Sequence, residues 1–94
     1  MANVALAKKG NTKVESDGRM TKVELYSTTI VLFSNSTITL NSGGHKTATT
    51  KRRMNETSDE FNLGIHVYAK RGEWFVMSPD LEPIPFEDGI VIPR

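Results

Sequence analysis

The sequence predicts an α+β fold in which an antiparallel β-meander is followed by one α-helix and then by a β-hairpin. Short segments with apolar residues at alternate positions, separated by turn residues, fill both ends of the chain. Only the segment from 47 to 62 has the three- and four-residue spacing of an amphipathic helix. A chain of 94 residues forms one core, so we expect a single domain over residues 12–94 after a flexible tail over residues 1–11.

The meander consists of about four short strands, each bounded by turn residues. The first turn contains Asp17 and Gly18, a pair that tolerates the positive φ angles of a tight hairpin. The third strand, with the sequence TIVLF, is too short for a helix and rich in β-branched residues, so we place it centrally with both faces covered. The predicted strands are residues 12–15, 20–25, 29–33 and 37–40.

A loop with two consecutive glycines ends the meander and leads into the predicted helix. Thr47, Thr49 or Thr50 can each cap its first turn, and we favour Thr47. Gly64 is suited to a left-handed conformation after the last turn. The residues spaced for burial form a narrow stripe, which predicts a helix that is polar over much of its circumference. This stripe consists of Ala48, Lys51, Met54, Ser58 and Phe61.

A β-hairpin is predicted after the helix. Residues 65–70 and 73–77 alternate in side-chain character on either side of a turn at 71–72. Trp74 and Phe75 must point to opposite faces of such a hairpin. One of the two rings can therefore reach the surface, while the other enters the core.

The residues after the hairpin contain all four prolines of the chain. Pro83 and Pro85 have no backbone N–H to donate to a neighbouring strand, which restricts their segment to a sheet edge or a loop. A last strand is predicted at residues 90–92, after a turn at Asp88-Gly89.

The composition excludes several kinds of site. The chain has no cysteine, which excludes disulfides, thiolate zinc sites and cysteine nucleophiles and is typical of a reducing compartment. No stretch has the roughly eighteen consecutive apolar residues of a membrane span. The lysines near the N-terminus follow the short apolar run instead of preceding it, unlike those of a signal peptide. We therefore expect a cytoplasmic protein with no membrane partner.

Charge is divided unevenly along the chain. Residues 1–54 carry nine Lys or Arg and three Asp or Glu, a net charge of +6, and residues 55–94 carry three against eight, a net charge of −5. On the helix the basic residues precede the acidic ones, which is the reverse of the order that the helix dipole favours. These charges either lie on a solvated surface, balanced by acidic neighbours, or form a binding surface for an anionic partner.

The basic start of the helix and the hairpin supply the candidate binding residues. Five residues that can carry positive charge fall within nine positions with no acid among them, and two more lie at the hairpin turn. An outward Trp74 beside that turn would suit stacking on a base or anchoring an interface; the alternative is a position in the core. The candidate set for an anion or a macromolecule is His45, Lys46, Lys51, Arg52, Arg53, Lys70, Arg71 and Trp74.

No motif for catalysis, a metal or a cofactor accompanies these residues. The segment GGHKT is similar to a phosphate-binding loop, but such a loop has glycine where His45 and Leu40 stand. A generic anion site at this helix end remains an alternative. His45 and His66 lie twenty-one positions apart with no acidic or histidine neighbour at ligand spacing. We therefore predict no catalytic residues, no metal ligands and no cofactor.

Three segments together, LNSGGHKTATTKRRMN, LGIHVYAKRGEWFV and PFEDGIVI, resemble a group of small proteins of unknown function encoded by tailed bacteriophages. The resemblance covers most of the chain from Thr12 onward and is most specific over residues 40–55 and in the later Gly-x-Trp-Phe-Val. It implies a phage origin, expression in the host bacterial cytoplasm and an accessory role. It supplies no catalytic residues.

Three functional hypotheses follow. We favour a non-enzymatic phage accessory protein that binds a host or phage macromolecule, above all a protein, with homodimer formation by strand or helix pairing as a further expectation. The second hypothesis is binding of the phosphate backbone of a nucleic acid through the basic end of the helix, supported by Lys70 and Arg71. The third is a small enzyme with an unrecognised site.

Overall fold

The computed structural model describes residues 10–79 and 81–94, with only the backbone of Leu81. Within these residues the chain forms eight strands and one helix, so the predicted α+β class is confirmed. The strands are β1 (Thr12–Ser16), β2 (Thr21–Leu25), β3 (Thr28–Phe33), β4 (Thr37–Leu40), β5 (His66–Lys70), β6 (Glu73–Ser78), β7 (Leu81–Pro85) and β8 (Ile90–Pro93). The helix is α1 (Ala48–Phe61).

The larger sheet contains the predicted meander and one strand from the far end of the chain. Its order is β1-β2-β3-β4-β8, and each pair is antiparallel. The last strand pairs with β4 and places Ile92 opposite Ile38. These two side chains are almost completely buried, at 1% and 0% exposure. The C-terminal segment therefore completes the core of the meander.

The smaller sheet has the order β5-β6-β7. Its first two strands are the predicted hairpin, with Arg71 and Gly72 both at positive φ in the turn. The third strand contains Pro83 and Pro85 and lies at one edge of the sheet, where a missing N–H is tolerated. The sequence did not indicate that the chain would divide its strands between two sheets.

The helix begins where the sequence predicted. Thr47 is the N-cap, and its hydroxyl accepts a hydrogen bond from the N–H of Thr50 at 3.2 Å. At the other end Asn62 is the first left-handed residue, with φ 57°, and Gly64 follows with φ 78°. The left-handed C-cap is therefore Asn62, and the predicted residue Gly64 adopts the same region two positions later.

The buried stripe of α1 differs from the predicted one. Ala48 is exposed and Lys51 is half-buried, whereas Thr50, Thr57 and Ser58 are buried together with Met54. Small hydroxyl residues can be buried here because each hydroxyl has a hydrogen-bond partner; that of Thr57 donates to the carbonyl of Arg53 at 2.7 Å. The helix consequently packs closely with few large apolar side chains.

Polar side chains of α1 occupy the outer edge of β5. Asn55 donates from Nδ2 to the carbonyl of Val67 at 2.8 Å, and its Oδ1 accepts the N–H of the same residue at 2.7 Å. One turn later the hydroxyl of Ser58 accepts the N–H of Ile65 at 3.0 Å and donates to its carbonyl at 2.7 Å. Each side chain thus satisfies both backbone groups of one strand residue, as a neighbouring strand would.

The core lies between the two sheets and α1. The helix contacts β5 of the smaller sheet and both β2 and β3 of the larger one, and Met54 at this junction has no exposed surface. The buried apolar side chains come from both sheets and from the segments beside them. They are Val23, Leu25, Ile30, Val31, Phe33, Ile38, Leu40, Met54, Leu63, Ile65, Val67, Trp74, Val76, Phe86 and Ile92.

The predicted tail, residues 1–11, lies outside the described residues as far as Lys9. Its last residue, Asn11, is described and adopts φ 58°. The carbonyl of Asn11 accepts the N–H of Tyr26 at 3.0 Å. This hydrogen bond adds Asn11 to the end of the β1–β2 pair.

Replacing Asn55 by alanine tests the contribution of the α1–β5 hydrogen bonds. The Asn55→Ala variant should lose about 2–3 kcal/mol of unfolding free energy, because two backbone groups of Val67, a buried residue, lose their partner. Urea denaturation followed by circular dichroism measures this loss. Asp59→Ala, an exposed position on the same helix, is the control and should change the free energy by less than about 0.5 kcal/mol. Equal effects of the two variants would contradict the assignment.

Candidate interaction surface

The loop between β4 and α1 holds two of the predicted site residues, His45 and Lys46. Its conformation is fixed by Asp88, whose Oδ1 accepts both the N–H and the hydroxyl of Ser42 at 2.7 Å. Gly43 at φ 65° has no room for a side chain, because an added Cβ would lie 2.6 Å from a methyl carbon of Thr28. Gly43 therefore serves a close approach to β3.

The charge of Asp88 is stabilised by the loop that it holds. The backbone N–H of Ser42 makes the largest contribution, and with the hydroxyl of Ser42 and the nearby ammonium of Lys46 it lowers the pKa of Asp88 below the ordinary 3.8. Partial burial of the carboxyl opposes this shift. Lys46 also lies over the ring of Phe86, with Nζ 5.6 Å from the ring centroid. Both contacts are within the protein, so Lys46 has a structural role.

A cleft of about 290 Å³ opens beside this loop and the start of α1. Its wall is mainly apolar and hydroxyl-bearing, and it includes His45 and the exposed ring of Tyr26. No group of three or more His, Cys, Asp or Glu side chains that could hold a metal ion occurs within residues 10–79 and 81–94. The lining residues are Leu25, Tyr26, Thr28, Ile30, Ser42, His45, Thr47 and Thr50.

The three basic residues of α1 have different environments. Arg53 is largely buried, with 13% of its side chain exposed, and it bonds Glu56 at 3.0 Å and the hydroxyl of Thr12 at 3.2 Å. Arg52 is exposed and Lys51 is half-buried. Neither of these two has an ion-pair partner among the described residues. Arg53 therefore joins α1 to β1, and the other two cations face outward.

The packing of α1 on β5 sets the level of the basic residues of the helix along the strand. Ser58 lies beside Ile65 and Asn55 beside Val67, so the helix and the strand run in opposite directions. The helix rises about 1.5 Å per residue and the strand about 3.3 Å. Continuing this alignment places Lys51 and Arg52 level with residues 68–69, next to the hairpin turn. We call Lys51, Arg52, Lys70 and Arg71 the basic end.

Trp74 does not belong to this surface. It is 7% exposed and its ring meets that of Phe86 edge-on, with centroids 5.4 Å apart. The N–H of Phe86 also donates to the carbonyl of Trp74 at 2.9 Å. Trp74 is therefore in the core, and of the two sequence alternatives for this ring the outward orientation is wrong.

The outer face of the smaller sheet instead carries a row of aromatic rings. His66 stacks on Tyr68 with centroids 6.0 Å apart, and Tyr68 stacks on Phe75 of the adjacent strand at 5.7 Å. Met77, 40% exposed, lies opposite His66, and Pro85 lies opposite Phe75. We call these five residues the aromatic face. Lys70 follows Tyr68 by two positions and has its side chain on the same face, so the aromatic face adjoins the basic end.

Only part of this surface was indicated by the sequence. The alternation of residues 65–77 predicted that Trp74 and Phe75 face opposite ways, but not which of them faces the core. Alternation put His66 and Tyr68 on one face of the predicted hairpin, with the ring of Tyr68 a core candidate, and gave no sign that the two would stack beside Phe75. The signal that could have found the face was the run of ring and thioether side chains at alternate positions of both hairpin strands.

The Asp88 carboxylate makes a testable contribution to stability. Its pKa is lower in the folded chain than the ordinary 3.8, so its charge stabilises the fold above that pH, and the stabilisation is lost as the pH falls through the folded value. Asp88→Asn keeps the shape of the side chain and removes the charge. Wild type should therefore exceed this variant in unfolding free energy at about pH 7 and lose the advantage at a pH well below the ordinary pKa of 3.8, measured by urea denaturation. An equal difference at both pH values would contradict the assignment.

Comparison with known proteins places the chain in a phage family. Within the described residues, no helix is long and apolar enough to span a membrane. No curated protein and no solved structure shows significant similarity to the chain. The family model described as Kyanoviridae Gp96 protein matches residues 1–93, and the Kyanoviridae are tailed phages of cyanobacteria. The predicted phage origin is confirmed, and the chain belongs to the Kyanoviridae Gp96 protein family.

Proposed function

We propose that this phage protein is a non-enzymatic accessory protein that acts in the host cytoplasm by binding another protein, of the host or of the phage. The observation that carries the proposal is the aromatic face. His66 and Met77 are exposed there, and Tyr68 and Phe75 are half-buried. Aromatic residues and methionine are enriched at the centres of protein interfaces, where they supply much of the binding energy.

The geometry of the rings favours a protein over a nucleic acid as the partner of this face. Tyr68 has a stacked ring on two sides, His66 along its own strand and Phe75 across the sheet. A nucleic-acid base needs an open ring face on which to stack. The stacked rings present a continuous apolar surface instead, which suits packing against apolar side chains.

The charges beside the aromatic face define the chemistry of the partner. The basic end contributes four cations, and Glu73, opposite Lys70 in the sheet, is the acid within the same hairpin turn region. Charged residues typically form the rim of an interface around an apolar centre. The expected partner therefore has an apolar patch with acidic residues along one side.

The test is capture from cyanobacterial lysate, with and without phage infection, on the immobilised full-length protein after nuclease treatment. A captured protein is then purified and titrated against the chain by calorimetry. Tyr68→Ala should weaken that binding roughly 10- to 30-fold, because it removes the central ring of the row. Tyr26→Ala is the matched control; its ring is 67% exposed in the turn between β2 and β3 of the larger sheet, and its removal should change the affinity less than about twofold.

Thermal unfolding of both variants establishes that each is folded. Equal affinity of Tyr68→Ala and wild type for every nuclease-resistant partner would overturn the proposal. So would equally weakened binding by the two tyrosine variants, since the aromatic face would then have no special role.

Nucleic-acid binding is the second candidate, and the position of the basic end is the observation that favours it. The alignment of α1 with β5 supports it, because Lys51 and Arg52 come level with residues 68–69, shortly before Lys70 and Arg71, and a phosphate backbone would be recognised by such a group of cations. Arg71→Ala should lower the slope of log affinity against log salt by about 0.7–0.9 for each phosphate that Arg71 neutralises, measured by fluorescence anisotropy with labelled single-stranded and duplex DNA.

Arg19→Ala is the matched control for this test, because Arg19 lies in the turn between β1 and β2 just as Arg71 lies in the turn between β5 and β6. The control should leave the salt dependence unchanged. Binding that is absent at low salt, or equally affected by both substitutions, would exclude this candidate.

A further inference from the structure

Three of the four outer strands of the two sheets carry a feature that hinders pairing with a further strand. Asn55 binds the outward backbone groups of Val67 in β5 and Ser58 those of Ile65 just before it, and β7 contains two prolines. The short strand β8 ends at Pro93.

The remaining outer strand, β1, spans five residues without a proline, and no strand among residues 10–79 and 81–94 pairs with its outer side. Thr12 at its start is 7% exposed and bonded by Arg53 of α1, so the accessible part of this edge is Lys13 to Ser16. An open edge of this kind is a site for pairing with another strand.

The hydrogen bonds between β1 and β2 show which backbone groups of β1 point outward. At one end the N–H of Tyr26 donates to the carbonyl of Asn11, and at the other the N–H of Asp17 donates to the carbonyl of Met20. Hydrogen-bonded and non-hydrogen-bonded pairs alternate in an antiparallel ladder. Alternate residues between these two ends therefore direct their backbone groups toward β2 and away from it. Those bonded to β2 are Lys13 and Glu15, and those whose backbone groups point outward are Thr12, Val14 and Ser16.

The side chains on the exposed face of this pair of strands alternate in charge. Lys13 lies opposite Glu24, and Glu15 lies opposite Lys22. The ammonium of Lys22 is 3.3 Å from Glu15 and 3.2 Å from Glu24. Any strand added to β1 will place its own side chains directly beside Lys13 and Glu15, so its charges must complement theirs.

We propose that β1 pairs with β1 of a second copy of this chain, in antiparallel orientation about a two-fold axis at Val14. This register brings the outward backbone groups opposite one another, because Thr12 faces the partner's Ser16 and Val14 faces the partner's Val14. Lys13 then lies opposite the partner's Glu15 in a non-hydrogen-bonded pair, where side chains are closest. Four charged side chains then lie side by side across the joined sheets, alternating in sign. In order they are Glu24, Lys13, the partner's Glu15 and the partner's Lys22.

The charges also exclude the neighbouring registers. A shift by two residues in one direction keeps the outward groups paired but places Lys13 opposite the partner's Lys13. The same shift in the other direction places Glu15 opposite the partner's Glu15. Like charges directly opposite each other destabilise a strand pair. Backbone geometry and charge therefore select the same register, which joins the two larger sheets into one.

Single charge reversals and their mixture test this dimer by sedimentation equilibrium. Lys13→Glu and Glu15→Lys should each weaken self-association roughly 10- to 100-fold, since each replaces two attractive cross-strand pairs by two repulsive ones. An equimolar mixture of the two variants should recover most of the association, because every pair between the two β1 strands is again between opposite charges, while the pair that each substitution makes with β2 of its own chain stays like-charged. This recovery also shows that neither substitution acts by unfolding the chain.

Hydrogen exchange distinguishes edge pairing from any other dimer. On raising the concentration across the dimerisation range, the amides of Val14 and Ser16 should exchange more slowly. The amides of Lys13 and Glu15, already bonded to β2, should not respond. A monomer at about 0.1 mM, a mixture that stays dissociated, or protection that does not follow this alternation would each overturn the proposal.

Discussion

The hydrogen bonds between α1 and the outer edge of β5 are the constraint on which the arrangement of the two sheets depends. The larger sheet is built from segments at both ends of the described chain, and the smaller sheet from the segment between them. The two have no strand pair in common, so what joins them is the helix, which packs on β2 and β3 while Asn55 and Ser58 bind β5. Each of these side chains bonds the N–H and the carbonyl of a single residue. This fixes both the distance of the helix from the strand and the direction in which the helix runs along it. The direction in turn places Lys51 and Arg52 at the hairpin turn.

This use of the helix explains its unusual composition. A helix that replaces a strand must approach a backbone closely, and small hydroxyl or amide side chains permit such an approach where leucine would not. Thr50, Thr57 and Ser58 are buried for this reason, and Met54 is the one large apolar side chain of α1 that is fully enclosed. Most of the core therefore comes from the inner faces of the two sheets. The helix packs on β2 and β3 and along the edge of β5, which leaves the outer face of β5–β6–β7 open for the row of rings.

The sequence predicts features that are set locally and fails where distant segments meet. The strand at 37–40 and the Thr47 cap follow from alternation and from hydroxyl chemistry within a few residues, and both match the structure. The turn at Tyr26-Ser27 was not predicted. Both residues adopt positive φ, but neither is a glycine or an asparagine, the residues that usually indicate such a turn. The pairing of β8 with β4 and the division into two sheets depend on contacts across some fifty residues, for which a single sequence carries no signal. The same limit applies to the site: the cations were identified by charge, but their separation into structural Arg53 and outward Arg52 required the positions of Glu56 and Thr12.

The protected and open surfaces of the two sheets fit the proposed face binding and the proposed edge pairing on separate parts of the molecule. The smaller sheet has both of its edges blocked, one by helix side chains and one by prolines, so it can meet a partner only through its face, and that face carries the stacked rings. The larger sheet has the opposite pattern: the exposed face near β1 is charged, which opposes burial, whereas the β1 edge is open and its charges are self-complementary. Face binding and edge pairing therefore use different parts of the molecule and do not compete. A dimer formed through β1 would carry two copies of the aromatic face, so that a partner with repeated sites would be bound more tightly than by either copy alone.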